Sequence, residues 1–370
     1  MTTETTGTSL RSRAEGYMSL IGPLAMIFAI IALMALVEPT RYFRLSNMDI
    51  ILKEAALYMP MAMAMTLVIA TRGIDLSIGS VAALTSIVMA YMVKSWGYPW
   101  WLAVSAAVTL GAFFGFINGM VITRLKVPDL IGTLAMDLVY RGICLIAVKG
   151  VVLSRFPEEI VAIGRGDIPG FLPLPVVIGL VMLVAGYFIY TRTFLGRYAQ
   201  AVGSNPEAAE LAGVPVDSTR VRVYVLMGAM AGLAGVMLAG KLNAVQATSA
   251  PFFNLHVIAA VVVGGTSLFG GRGSMLGSLC GVLLLAMMIN ALVTLRIEFF
   301  WQSVASGVVI ILSVAFYTWL QRKDRDGEGN WLASLAKPGN LAMLRLVGVI
   351  LAVLAVIFAV GAVLPPPTAA

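Results

Sequence analysis

Long apolar runs recur along the whole chain, and most of them have the length that a helix needs to cross a lipid bilayer. A bilayer core about 30 Å thick requires about 20 mostly apolar residues, because an α-helix rises about 1.5 Å per residue. The sequence therefore predicts an all-α, polytopic helical membrane protein with about ten core transmembrane helices and one additional C-terminal helix. The predicted spans are Met18–Val37, Ile50–Ala70, Leu76–Val93, Trp100–Val121, Asp129–Val148, Leu174–Thr191, Val223–Lys241, Asn254–Gly270, Met275–Thr294, Phe300–Leu320 and Leu341–Leu364.

Polar segments between these runs divide the chain into four predicted regions. Residues 1–17 form a cytoplasmic N-terminal tail, and residues 18–323 form the main transmembrane domain, in which residues 192–222 are a cytoplasmic segment. Residues 324–340 form a cytoplasmic linker, and residues 341–370 contain the additional helix and a tail. The predicted span Asn254–Gly270 is short and could be a re-entrant half-helix, but the distribution of basic residues fits the positive-inside rule only if this stretch crosses, which supports counting it as a span.

Charged residues are scarce and mostly basic, and their distribution predicts the orientation in the membrane. Charged residues make up 12% of the chain, about half of what a soluble domain carries, and the net charge is +7. With the N-terminus in the cytoplasm, most of the basic residues fall in cytoplasmic segments, as the positive-inside rule requires. No basic run is interleaved with aromatic residues, so nucleic-acid binding is not expected. One histidine and two cysteines inside apolar runs suggest neither a metal site nor a disulfide framework.

The polar segment from Thr191 to Arg222 contains a predicted short helix. Asn205 can cap this helix, and Pro206 fits its first turn. Glu207 favours the positive end of the helix dipole, and Gly213 permits the left-handed residue that ends a helix. A helix of about two turns is marginal alone in water, so we expect a soluble partner to dock on it, with an ordinary loop as the alternative. The predicted docking residues are Asn205, Pro206, Glu207, Ala208, Ala209, Leu211 and Gly213.

Polar residues near or inside the apolar runs are candidates for a translocation path. Asp75 or Ser77 can cap the third span and Gly73 permits a tight turn, but a helix broken here would instead expose backbone groups and Asp75 to a substrate. Asp137 and Arg141 lie four residues apart on one helical face, where they could pair, and a charge at this depth costs about 2.5–3.5 kcal/mol. The alternatives are snorkelling of the arginine and, for the buried asparagines, hydrogen bonding between helices. The path candidates are Gly73, Asp75, Ser77, Asn118, Asp137, Arg141 and Asn290.

Glycines at four-residue spacing recur within the spans, and close helix packing explains them. They are Gly111, Gly115 and Gly119, then Gly228 and Gly232, and finally Gly273, Gly277 and Gly281. The glycine-rich stretch from Gly264 to Gly273 lacks the Gly-Lys-Ser/Thr ending and the preceding strand of a nucleotide-binding loop. A pump built on this chain must therefore draw its energy from another chain or from an ion gradient, and no catalytic, cofactor-binding or metal residues are expected.

Three stretches, taken in order, resemble the permease subunits of bacterial ABC importers for ribose and related monosaccharides. They are GIDLSIGS from Gly73 to Ser80, TRTFLGRYAQAVGSNPEAAELAGV from Thr191 to Val214, and AAVVVGGTSLFGGRGSMLGSLCGVLLLAMMINAL from Ala259 to Leu292. The resemblance covers roughly residues 47–322. It implies a multi-pass protein of the bacterial inner membrane, with membrane lipids around it, that imports a small sugar by alternating access.

The resemblance also implies partners. A cytoplasmic ABC ATPase subunit, which carries ATP and Mg²⁺, would dock on Glu207 to Gly213, so this permease would need no cofactor and would not be an enzyme. A periplasmic sugar-binding protein would deliver substrate to the outer loops, including Gly150 to Phe171. Two copies of the chain, or one copy and a paralogous permease, would line one path.

The sequence departs from the family pattern at Asn254, where the family carries an acidic residue, and at Asp129, where it tends to carry an apolar or aromatic one. The departures leave the substrate open between ribose, another small sugar and a polyol. A gradient-driven secondary transporter is the alternative function, although Asp137 is the one carboxylate placed well inside a predicted span. A passive channel or scaffold is a further alternative.

Overall fold

A computed structural model describes residues 22–296 and Gly307, and nearly all of these residues are helical or lie in short connections between helices. The chain divides into two compact units, residues 1–287 and 288–370. The helices are α1 (Gly22–Val37), α2 (Pro39–Tyr42), α3 (Leu45–Ala70), α4 (Ile78–Lys94), α5 (Trp100–Arg124), α6 (Asp129–Val148), α7 (Glu158–Arg165), α8 (Leu174–Arg192), α9 (Phe194–Ser204), α10 (Pro206–Leu211), α11 (Val216–Leu242), α12 (Phe253–Val263) and α13 (Met275–Thr294). The two-residue strands β1 (Leu153–Ser154) and β2 (Ala244–Val245) pair antiparallel.

The predicted all-α membrane class is confirmed. Among residues 22–296, six helices are long and apolar enough to cross a membrane, namely α3, α5, α6, α8, α11 and α13, while α1, α4 and α12 are apolar but shorter. The predicted count of about ten core helices is not confirmed by this part of the chain. The predicted span Leu341–Leu364, the tail 1–17, the linker 324–340 and, apart from Gly307, the predicted span Phe300–Leu320 lie outside the described residues.

Helices α3 and α11 form the core of the first unit, whereas α5, α6 and α8 expose apolar side chains over most of their length. The glycine repeats explain the close contact of α5 with α11. A methyl group added at Gly111 would overlap the backbone carbonyl of Gly228, and one added at Gly232 would lie 2.6 Å from the carbonyl oxygen of Ala107. Gly277 and Gly281 of α13 meet Gly264 and Ala260 in the same way, which confirms the close packing predicted from the four-residue spacing.

Helix α3 connects two faces of the first unit, which we name after the short helices that lie on them. At the α7 face, Lys53 of α3 forms an ion pair of 2.6 Å with Asp167, and the neighbouring Glu54 pairs with Lys241 of α11. At the α10 face, the carbonyl oxygen of Ala70 accepts a hydrogen bond of 2.9 Å from the Gly271 backbone amide.

Helix α4 begins among buried residues and α12 begins beside it, and the chain in front of each helix is not helical. Tyr58 lies twelve residues, or about 18 Å, before the end of α3, and its ring is 5.1 Å from that of Phe253 at the start of α12. The Asn254 side-chain amide donates a hydrogen bond of 3.0 Å to the carbonyl oxygen of Leu76, just before α4. The 11 residues of α12 span about 16 Å, too little for this helix to cross a bilayer by itself. Helix α12 therefore covers only the first part of the predicted span Asn254–Gly270.

The two short helices run from this meeting point to opposite faces. Lys94, the last residue of α4, donates a hydrogen bond to the Ser154 carbonyl in β1, on the α7 side. Gly264, which follows α12, packs against Gly277 of α13. The next residue, Ser278, hydrogen-bonds at 2.7 Å to Thr66, one turn before the end of α3 at the α10 face.

Candidate functional site

The α10 face carries the helix that the sequence predicts as a docking element. The side-chain oxygen of Asn205 accepts a hydrogen bond of 3.1 Å from the Ala208 backbone amide, so the predicted cap is confirmed. Gly213 has φ +81°, the left-handed conformation predicted for the residue that ends the helix. The helix is α10, and it is six residues long.

The segment around α10 is more ordered than the sequence prediction of one short helix. Helix α9 precedes α10, and the Thr193 side chain caps it by accepting a hydrogen bond from the Gly196 amide. Helix α11 already begins at Val216, so Arg220 and Arg222 are helical rather than part of a loop. The sequence analysis missed α9, because this amphipathic helix of 11 residues is too short and too polar to resemble a membrane span.

Helix α10 directs most of its predicted docking residues to the outside of the first unit. Glu207, Ala208 and Gly213 are exposed, and Leu211 is 90% exposed, whereas Ala209 is buried against the protein. A single exposed leucine is common on protein surfaces. Here it extends from a six-residue helix that cannot hold itself together in water, which makes the exposed side a surface suited to a partner.

Three path candidates come together in one buried chain of hydrogen bonds. A carboxylate oxygen of Asp75 accepts hydrogen bonds from the Ser77 backbone amide at 2.9 Å and from its hydroxyl at 2.7 Å. The Asn118 amide of α5 donates to the Ser77 hydroxyl at 2.7 Å, and the Tyr140 hydroxyl of α6 donates to the Asn118 oxygen at 3.0 Å. All four residues are buried. The network therefore joins the start of α4 to α5 and α6.

This network changes two sequence interpretations. Ser77 is the N-cap of α4, but its side chain accepts no hydrogen bond from the helix, and Asp75 binds Ser77 itself instead of the amides of the first turn. The predicted capping thus takes the form of a turn in front of the helix. Tyr140 was missed, because a tyrosine within an apolar run gives no signal of its own until its hydroxyl partner is known.

Arg141 does not form the predicted pair with Asp137. No ion pair joins these two side chains in the described part of the chain, and one guanidinium nitrogen of Arg141 donates instead to the carbonyls of Ala247 at 2.7 Å and Ser249 at 2.9 Å. The reason is that the connection between β2 and α12 is not helical, so its carbonyls need donors from elsewhere. A methyl group at Gly79 of α4 would lie 2.8 Å from the carbonyl oxygen of Ala250, which places the first turn of α4 against the same connection.

Gly73 lies beside a cluster of charged and polar groups rather than beside the network. A methyl group on Gly73 would lie 2.8 Å from a carboxylate oxygen of Asp129 and 2.9 Å from the Tyr224 hydroxyl. One guanidinium nitrogen of Arg220 contacts the two Asp129 oxygens at 3.1 and 3.2 Å, and the Tyr224 hydroxyl donates to Asp129 at 2.9 Å. The negative charge of Asp129, a residue that departs from the family pattern, is therefore balanced by Arg220 of α11.

The last path candidate, Asn290, belongs to the second unit. There its side-chain oxygen accepts a hydrogen bond of 3.4 Å from the Thr294 hydroxyl, one turn further along α13. The other candidates all lie in the first unit. Asp75 and Ser77 stand just before α4, next to Leu76, whose carbonyl accepts the hydrogen bond from Asn254 of α12, and Ser77 binds Asn118. Across residues 22–296, no group of three or more His, Cys, Asp or Glu side chains is placed to hold a metal ion.

Comparison with known proteins identifies the family of the chain. Residues 47–314 match the protein family described as branched-chain amino acid transport system / permease component. The ribose import permease protein RbsC of Escherichia coli (strain K12) is 38% identical over 295 residues, which cover 79% of this chain and 91% of that protein. RbsC of Bacillus subtilis (strain 168) is 35% identical, over 82% of this chain and 94% of the relative.

A more distant relative has another sugar in its name. The fructose import permease protein FrcC of Rhizobium meliloti is 33% identical over 312 residues, which cover 81% of this chain and 85% of that protein. No solved structure gives a significant match. The family match covers well over half of the chain. It begins within α3 and continues through α13, so it includes α10 and the non-helical segments before α4 and α12. The chain therefore belongs to the family of membrane permease subunits of ABC import systems.

Proposed function

We propose that this permease imports a monosaccharide or a similar small polyol from the periplasm to the cytoplasm by alternating access. The names of its relatives support a sugar-like substrate, because they are import permeases for ribose and fructose. In this proposal the N-terminus and the α10 face lie in the cytoplasm, as the distribution of basic residues requires. The α7 face then lies toward the periplasm.

The translocation path in this proposal passes the point where α4 and α12 begin. The observation that carries it is the hydrogen bond of 3.0 Å from the Asn254 side chain to the carbonyl of Leu76, which joins the first turn of α12 to the non-helical segment before α4. Non-helical backbone at membrane depth is tolerated where it is enclosed by protein or lines a cavity for a polar solute. Asp75, Ser77 and Asn118 supply further polar groups there, and Arg141 lies against the same connection.

The proposal assigns a partner to each face. A cytoplasmic ATPase subunit binds ATP and Mg²⁺ and docks on α10 through the exposed Glu207 and Leu211. A periplasmic sugar-binding protein docks on the α7 face, where the segment from Gly150 to Phe171 exposes charged and apolar side chains. A second copy of the chain, or a paralogous permease, completes the path in the membrane.

Affinity purification from native membranes in mild detergent, followed by mass spectrometry, tests the proposal. We expect an ATPase to co-purify in a stoichiometric amount. Replacing Glu207 with Ala, or Gly213 with Val, should lower the co-purified ATPase about tenfold or more, since one docking residue is worth at least about 1.4 kcal/mol. The amount of permease in the membrane should not change.

Glu158→Ala is the matched control, because Glu158 is also an exposed acid in the first turn of a short helix but lies on the α7 face. This variant should retain the ATPase. A permease that purifies alone, together with uptake that collapses on addition of a protonophore at constant ATP, would instead identify a gradient-driven secondary transporter.

A further inference from the structure

Arg72 combines an unusual backbone conformation with a side chain that makes three hydrogen bonds to the backbone. Its φ of +63° lies in the left-handed region, which costs free energy for any residue with a side chain. Such a conformation persists where surrounding contacts compensate for it, and it is often found where the side chain has a function. Arg72 is exposed at the α10 face, at the end of α3.

The Arg72 guanidinium binds three backbone carbonyls from two other parts of the chain. Its Nε donates to the carbonyl oxygens of Gly203 at 2.6 Å and Phe269 at 2.9 Å, and one terminal nitrogen donates to that of Ser204 at 2.8 Å. Gly203 and Ser204 are the last residues of α9, where helix carbonyls lack partners and the dipole favours a cation. Phe269 lies in the connection between α12 and α13.

These contacts place Arg72 directly behind the docking helix. Ser204, which it holds, is followed by Asn205, the residue that caps α10. The backbone of α9 also lies against α3, because a methyl group on Gly203 would overlap the carbonyl oxygen of Ala70 and lie 2.5 Å from the Gly271 amide. A displacement of α10 therefore acts on the carbonyls that Arg72 binds.

The segment from Arg72 to Ser77 leads from the hydrogen bonds of Arg72 to the buried network of Asp75, Ser77 and Asn118. The Thr133 hydroxyl of α6 accepts a hydrogen bond of 3.1 Å from the Leu76 amide, and its one proton is shared between the carbonyl oxygens of Asp129 at 2.8 Å and Ile74 at 3.1 Å. Asp75, between Ile74 and Leu76, binds Ser77 at the start of α4. The segment is short, and hydrogen bonds hold several of its residues. A displacement at one end should therefore move the other end as well.

We propose that Arg72 is a positioning residue that couples α10 to α4. It joins the end of α9 and the α12–α13 connection to the segment from residue 71 to residue 77, so that movement of the docked α10 changes the start of α4 and the Asp75–Ser77–Asn118 network. The inference rests on the proposed function, in which an ATPase moves α10. Arginine suits this role because its rigid fork reaches several carbonyls at once, whereas lysine offers a single point charge.

Hydrogen–deuterium exchange on the permease–ATPase complex tests the coupling without knowledge of the sugar. The complex is compared without nucleotide and with ATP and vanadate, in peptides that cover residues 71–80 and 203–213. In the wild type, nucleotide should change exchange in both peptides. Arg72→Gly removes the three hydrogen bonds of the side chain, while glycine readily adopts the left-handed backbone conformation. In this variant the change in exchange at 203–213 should persist. The change at 71–80 should fall about threefold or more, the range expected for a residue between two coupled sites.

Arg72→Lys retains the positive charge but loses the planar guanidinium with its several donors. The change in exchange at 71–80 should therefore lie between those of the wild type and Arg72→Gly. Lys126→Gly is the matched control, because Lys126 is also exposed and left-handed, with φ +53°, but lies in the α5–α6 connection; it should behave as wild type. An unchanged response at 71–80 in Arg72→Gly would overturn the inference. A wild-type complex without any response at 203–213 would contradict the proposed docking on α10, which is a different failure.

Discussion

The cluster of Asp129, Arg220 and Tyr224 gives a quantitative test of how α6 and α11 are held together. Its contacts are two of 3.1 and 3.2 Å between Arg220 and Asp129, and one of 2.9 Å from the Tyr224 hydroxyl. The side chains of Arg220 and Asp129 are 24% and 13% exposed, so an unpaired charge there would be only partly hydrated.

Asp129→Asn removes the negative charge and leaves Arg220 without its ionic partner. Hydrogen bonds to charged groups contribute about 1.5–3 kcal/mol in soluble proteins, whereas side-chain bonds within membrane proteins average about 0.6 kcal/mol. The partial exposure places the cluster between these limits, and we expect a loss of about 1–3 kcal/mol in the free energy of unfolding. Arg220→Gln should cost a similar amount, because it removes the same interaction.

The double variant decides whether the two residues act through each other. If they do, its loss should be smaller than the sum of the two single losses by about 1 kcal/mol. The measurement is reversible unfolding in mixed micelles of a mild detergent and sodium dodecyl sulfate, followed by tryptophan fluorescence. Arg222→Gln is the control, since Arg222 is exposed on the same helix and should change stability by less than about 0.5 kcal/mol. Additivity within about 0.3 kcal/mol would refute the reasoning.

Two further predictions concern a tight contact and a buried carboxylate. Gly203→Ala should lower the free energy of unfolding by about 1–3 kcal/mol in the same assay, because the added methyl would overlap the backbone carbonyl of Ala70. Gly142→Ala is the control. It should be neutral or slightly stabilising, since no atom lies within 4 Å of the added methyl. Asp75→Asn should remain folded and retain most uptake, because the amide oxygen can still accept both hydrogen bonds from Ser77; a folded variant without uptake would contradict this and assign the charge itself to transport.

Hydropathy predicts the long helices well, because a bilayer imposes their length and composition. The predicted spans beginning at Trp100, Asp129, Leu174 and Met275 start at the residues where α5, α6, α8 and α13 begin. Capping chemistry likewise predicts α10, because the contacts of Asn205 and the φ of Gly213 are local properties of the chain. Both predictions depend on residues close together in sequence.

The interpretations that failed depend on residues far apart in sequence. The four-residue spacing of Asp137 and Arg141 suggests a pair, but the carbonyls that bind Arg141 lie 106 and 108 residues further along the chain. Tyr140 and Tyr224 fall inside apolar runs, and only the fold places them beside Asn118 and Asp129. Arg72 gives a signal of positive charge alone, and its left-handed backbone is not visible in the sequence.

The glycine contacts between α5 and α11 have a consequence for how this permease can change shape. At Gly111 and Gly228 the two backbones touch, without side chains between them that could change rotamer and let one helix slide past the other. These two helices must therefore move together as one rigid body. The rearrangement that opens the path to one side and then the other must then take place outside the α5–α11 contact.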